Sequence, residues 1–123
     1  VLESIKTGKI EKISIEKESI MGGMSCGEVS LVPWEILKNS VHFCVTVPDD
    51  YISKTVKYLA NKEFSEEKII GGECSTPGIA SLIGLSNDHE TRKKISLNEN
   101  SNVLLFGCEG NADEELYQKF LAG

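Results

Sequence analysis

Apolar and polar residues change rhythm several times along the chain. In "VHFCVTV", Val41, Phe43, Val45 and Val47 alternate with His42, Cys44 and Thr46, the period of a strand with two different faces. In "PDDYISKTVKYLANK", Ile52, Val56 and Leu59 recur at helical spacing behind Pro48 and Asp49, which suit a helix start. "KIIGG" then reads as a short strand, and "STPGIASLIGLS" as a helix with Ser75 or Thr76 as its cap and Pro77 in its first turn. "NVLLFG" is an unalternated apolar strand of the kind covered on both faces. "ADEELYQKFLAG" closes the chain as a helix, with Asp113, Glu114 and Glu115 at its positive end.

The earlier part is less regular. "IEKISI" puts Ile13 and Ile15 on one face of a short strand, and Ser19 suits the cap of a short helix bearing Ile20, Met21 and Met24. "LVPWEILKNS" predicts a helix with Pro33 in its first turn and Trp34, Ile36 and Leu37 on its apolar side. The charged stretch "NDHETRKKISLNENSN" reads as a solvated helix end and loop. Strand and helix alternating in this way predict consecutive βαβ units. The expected fold is therefore α/β, a three-layer arrangement with a mostly parallel sheet and helices on both faces.

Composition narrows the classes. With 123 residues, 40% hydrophobic and 26% charged, the chain has the make-up of one globular domain over residues 1–123. Thirteen basic against nineteen acidic residues give a net charge of -6, which argues against nucleic acid or an anionic membrane surface as a partner. The longest apolar run, Val103 to Phe106, is far too short to span a membrane. The four cysteines, Cys26, Cys44, Cys74 and Cys108, lack the spacing of a zinc ribbon or a redox pair, and reduced thiols in a cytoplasmic protein are expected, with no metal site. The chain opens on "VLESIKTGK" with neither a methionine nor a capping signal, and so reads as a piece of a longer protein.

Three glycine-flanked spots fall near predicted strand ends or helix starts: "MGGMSCGE", "GGECS" and "FGCEGNAD". None is a dinucleotide fingerprint or a phosphate loop. The carboxylate of Glu73 has two readings. Either it meets exposed amides of the following helix, or it faces a ligand at the carboxyl end of a parallel strand, where open α/β sheets place their crevices. No histidine adjoins Cys26, Cys74 or Cys108 to activate a thiolate nucleophile.

Taken in order, "SIMGGMSCGE", "VPWEIL", "GGECSTPGIASLIG" and "LLFGCEGNAD" resemble the carboxyl-terminal part of fold-type II pyridoxal-phosphate enzymes, within which the diaminopropionate ammonia-lyases are most similar. The resemblance implies part of the large domain of such an enzyme, and a carboxyl-terminal fragment rather than the whole. It implies pyridoxal phosphate as cofactor, with Glu73 flanking the pyridine ring and Cys74 beside it. Gly107 falls where the family carries a hydroxyl or thiol that meets the ring nitrogen, so that either Cys108 takes over that place or the ring nitrogen has no side-chain partner. Gly22 and Gly23 are further cofactor-binding candidates on the same ground. The implied activity of the intact protein is elimination of ammonia from 2,3-diaminopropionate or a similar amino acid to give pyruvate, in a homodimer. No catalytic residue is assigned to this chain, because the family's Schiff-base lysine and phosphate loop have no match in it, so the chain alone is expected neither to hold the cofactor tightly nor to catalyse. Threonine or serine dehydratase activity is the alternative within the enzyme class. A free-standing small α/β ligand-binding or regulatory module is the alternative outside it.

Overall fold

The computed structural model describes residues 1–123, which form two compact units, Val1–Thr46 and Val47–Gly123.

In the first unit, α1 (Leu2–Thr7) ends at Gly8, whose φ of 75° places it in the left-handed region while its N–H reaches the Ser4 carbonyl. Ser4 is buried, and its Oγ accepts the Glu11 N–H at 3.1 Å, which ties the segment after the helix back to it. Ile13 N–H donates to the Gly27 carbonyl at 2.9 Å, and a Cβ on Gly27 would meet the Ile13 oxygen at 2.6 Å. A side chain at position 27 would therefore part the two segments. A 3-10 turn covers Gly22–Met24, and α2 (Leu31–Ser40) buries Trp34.

The second unit is built around α3 (Asp49–Ala60), the most amphipathic stretch of the sequence. Asp49 and Asp50 occupy its positive end, and Ile52, Thr55, Val56 and Leu59 form its buried stripe. Against α3 pack α4 (Pro77–Asn87) and α6 (Glu114–Ala122), the latter through buried Tyr117. A short helix, α5 (His89–Lys94), packs on α4 and is capped by Asp88, whose carboxylate accepts the Glu90 N–H at 3.2 Å. Asp113 caps α6 in the same manner, accepting the Leu116 N–H at 2.9 Å. Tyr58 and Phe64 meet edge to face at 5.7 Å.

The helices expected at α2, α3, α4 and α6 are present, α1 was not expected, and the sheet does not form. The mostly parallel three-layer sheet predicted from alternation is absent: the structure is helical and contains no strand, and the segments read as strands at 10–15, 41–47, 68–72 and 102–107 have no ladder. The physical reason lies outside each segment. A strand persists only where neighbouring backbone supplies partners for its N–H and C=O groups, and these segments do not supply one another. Their apolar side chains are left uncovered as a result: Leu104 is 78% and Phe106 84% exposed, where a strand covered on both faces would bury them. Within the charged stretch, the structure forms a separate α5 rather than a helix end alone. The helix expected around Ile20 is reduced to the turn at Gly22–Met24, in keeping with the helix-weakening glycines.

Candidate functional site

Two glycine-flanked turns of the second unit, separated by more than thirty residues, meet and interlock. The first follows Gly71 and Gly72 and makes a 3-10 turn over Glu73–Ser75 before Pro77 opens α4. The second runs from Gly107 to Gly110 ahead of α6. Glu109 Oε1 accepts the backbone N–H of Cys74 at 2.8 Å. Ser75 Oγ accepts the Glu109 N–H at 2.6 Å and donates to the Glu109 carbonyl. Cys108 Sγ donates to the Cys74 carbonyl at 3.3 Å. Four hydrogen bonds thus join residues 74–75 to residues 108–109.

Glycine is required for this approach at one position and not at another. A Cβ on Gly72 would lie 2.4 Å from the Gly110 carbonyl oxygen and 2.8 Å from Glu109 Oε1, so the turns touch there with no room for a side chain. A Cβ on Gly107 would rest 3.5 Å from that of Ser75, an ordinary contact. The hydroxyls expected to cap α4 are used elsewhere: Ser75 bonds Glu109, and buried Thr76 donates to the Glu73 carbonyl at 3.2 Å.

Of the residues singled out from sequence, Glu73, Cys74, Gly107 and Cys108 are therefore brought together. Cys74 is buried, Glu73 is half-buried and Cys108 is exposed. Gly22 and Gly23 lie in the first unit, in the 3-10 turn, where a Cβ on Gly22 would meet nothing within 4 Å. None of the four cysteines is in a disulfide. The Glu73 carboxylate, the Cys74 thiol and the Glu109 carboxylate each place a ligand atom within 4.8 Å of the others. They are a mixed hard and soft set, and Glu109 already holds the Cys74 amide.

Glu109 and Gly72, which were not among the site residues expected from sequence, build the junction together with Ser75, which was read as a helix cap. A signal for them was present: "GGECS" and "GCEG" each set a carboxylate next to a cysteine in a glycine-bearing turn.

No family model matches the chain. It is similar to the diaminopropionate ammonia-lyase of Escherichia coli strain K12, with 28% identity over 116 residues, which cover 91% of this chain and 29% of that enzyme. To the enzyme of the same name from Salmonella typhimurium strain LT2 it is 23% identical over 115 residues, 90% of this chain and 28% of the relative. Among solved structures, the Escherichia coli enzyme in complex with D-serine superposes with a TM-score of 0.84 and 26% identity, over 97% of this chain and 30% of the other. The same enzyme in complex with an aminoacrylate–pyridoxal phosphate azomethine reaction intermediate gives 0.74 and 25% over the same shares. The chain thus spans less than a third of the length of the curated relatives it matches. No helix is long and apolar enough to cross a membrane.

Proposed function

We propose that this chain forms one wall of the cofactor site in a pyridoxal-phosphate ammonia-lyase acting on 2,3-diaminopropionate or a closely similar amino acid, the remainder of the site being supplied by the part of such enzymes that the chain does not match. The observation that carries this reading is the interlocked pair of turns, within a chain that superposes on diaminopropionate ammonia-lyase with a TM-score of 0.84.

The residues fit the flank of a flat ring better than they fit an anchor. The Cys74 N–H is held by Glu109 and the Ser75 N–H by the Gly72 carbonyl at 3.1 Å, so neither amide is left for a phosphate at this turn. Cys108 directs its thiol proton to the Cys74 carbonyl, which leaves its sulfur as a weak acceptor toward a ring nitrogen. Glu73 stands beside the pair as a half-buried carboxylate on a turn fixed from both ends. Pyridoxal phosphate supplies the electron sink for the substrate α-carbon in such enzymes. The contribution of this chain is orientation and exclusion of water rather than proton transfer.

The exposed apolar run Val103–Phe106 supports the same reading, since isolated globular chains rarely leave such a run open to water. It counts against a free-standing module. In the intact enzyme the active unit is taken to be a homodimer.

Grafting residues 1–123 into the Escherichia coli enzyme in place of the segment they match tests the proposal. The chimera should retain the visible absorbance of bound cofactor and release ammonia from diaminopropionate, and Glu73→Gln and Cys108→Ala should each shift that absorbance. A folded chimera whose spectrum both substitutions leave unchanged would remove these residues from the cofactor wall.

A further inference from the structure

One side chain grips the backbone on both sides of Glu109. Ser75 Oγ accepts the Glu109 N–H at 2.6 Å and donates to the carbonyl of the same residue. That N–H lies in the peptide plane that Cys108 shares with Glu109, so the bond fixes how the backbone of Cys108 is turned. With the backbone set, the thiol keeps a single staggered torsion, and the one adopted brings Sγ to the Cys74 carbonyl at 3.3 Å.

Little else holds the Cys108–Glu109 pair. Gly107 precedes it and Gly110 follows it, the residue type with the widest backbone freedom on each side. No strand ladder runs through the segment. The remaining tie, from Glu109 Oε1 to the Cys74 N–H, passes through a long side chain and restrains the Cys108 backbone less directly.

Ser75 itself is firmly seated. It is buried, and its N–H donates to the Gly72 carbonyl at 3.1 Å within the 3-10 turn that also carries Glu73. The next residue, fully buried Thr76, donates to the Glu73 carbonyl at 3.2 Å and ties that turn down again. Ser75 is therefore a spacer with one end on the turn of Glu73 and the other on the turn of Cys108.

We infer that Ser75 is a positioning residue of the proposed cofactor wall, setting how far apart and at what angle the Glu73 carboxylate and the Cys108 sulfur face the ring. It acts through Cys108 and not on the ring, because its hydroxyl both accepts from and donates to Glu109. The inference rests on the reading of Glu73 and Cys108 as parts of that wall.

Two measurements test it. In the chain itself Cys108 and Cys26 are both exposed, and Cys26, in the first unit, is the internal reference. Ser75→Ala should speed alkylation of Cys108 by iodoacetamide about threefold or more relative to Cys26, since a thiol released from a carbonyl gives up its proton more readily to form the reactive thiolate. Ser75→Thr, which keeps the hydroxyl, should react like the unaltered chain. In the cofactor-loaded chimera, Ser75→Ala and Cys108→Ala should each shift the visible absorbance, and the double variant should shift it no further than Cys108→Ala alone. Should Ser75→Ala fail to fold, Ser75→Cys, close in shape and weaker in both bonds, takes its place. A Ser75 variant that leaves either readout unchanged, or that adds its full shift to that of Cys108→Ala, would overturn the inference and leave Cys108 in the wall. Cys108→Ala without a spectral shift would remove Cys108 from the wall, and the role of Ser75 with it.

Discussion

Glu109 accepts the backbone N–H of Cys74 at 2.8 Å across 35 positions of sequence, and that bond, with the two made by Ser75, turns two separate loops into one surface. The carboxylate does what a neighbouring strand would do in a sheet: it brings an acceptor from a distant part of the chain to a backbone donor.

Removing it should therefore be costly. Glu109→Ala removes the acceptor it gives to the Cys74 amide and is expected to lower stability by about 1–3 kcal/mol, with hydrogen exchange at Cys74 faster than in the unaltered chain. Glu109→Gln keeps an acceptor oxygen and should restore most of both. Urea unfolding and amide exchange on the two variants check this; equal loss in Gln and Ala would mean that the charge, not the hydrogen bond, holds the turns.

The two glycines should behave in opposite ways. Gly72→Ala pushes a methyl group to 2.4 Å from the Gly110 carbonyl, where backbone must move, and should cost about 1–3 kcal/mol. Gly107→Ala meets only ordinary contacts at 3.5 Å and beyond and should melt close to the unaltered chain. Thermal melts of the pair decide it, and a Gly107→Ala variant as damaged as Gly72→Ala would contradict the packing described.

Tyr117 provides a pH prediction. Burial, with the charge of Glu114 adding to it, raises its phenol above the ordinary 10.0. The unfolded chain then loses the proton first. The stability that Tyr117 contributes is fully present below about pH 10 and is lost as pH rises through its higher folded value. Its buried hydroxyl has no hydrogen-bond partner, so Tyr117→Phe should change stability near neutrality by no more than about 1 kcal/mol. Above pH 10 the variant should lose less melting temperature than the unaltered chain; parallel curves would contradict this.

What could be read from sequence divides along a physical line. The stripe of Ile52, Val56 and Leu59 and the acidic start of α6 at Asp113, Glu114 and Glu115 depend on residues close in the chain, and both appear in the structure where the pattern put them. The sheet depended on backbone partners far away in the chain, which alternation such as that of Val41, Phe43 and Val45 cannot guarantee, and it is absent. The site falls between. Glu73, Cys74 and Cys108 were legible as carboxylate and thiols in glycine-flanked turns, while the pairing of Glu109 with the Cys74 amide is a tertiary contact with no local signature.

The central claim, that this chain provides a wall of the cofactor site but not its anchor, is tested most directly by titrating the purified chain with pyridoxal phosphate, trapping any imine with borohydride and locating it by mass spectrometry. The account predicts no saturable absorbance change and no adduct confined to one lysine. A stoichiometric adduct on a single lysine would contradict it and make the chain a cofactor-binding protein in its own right.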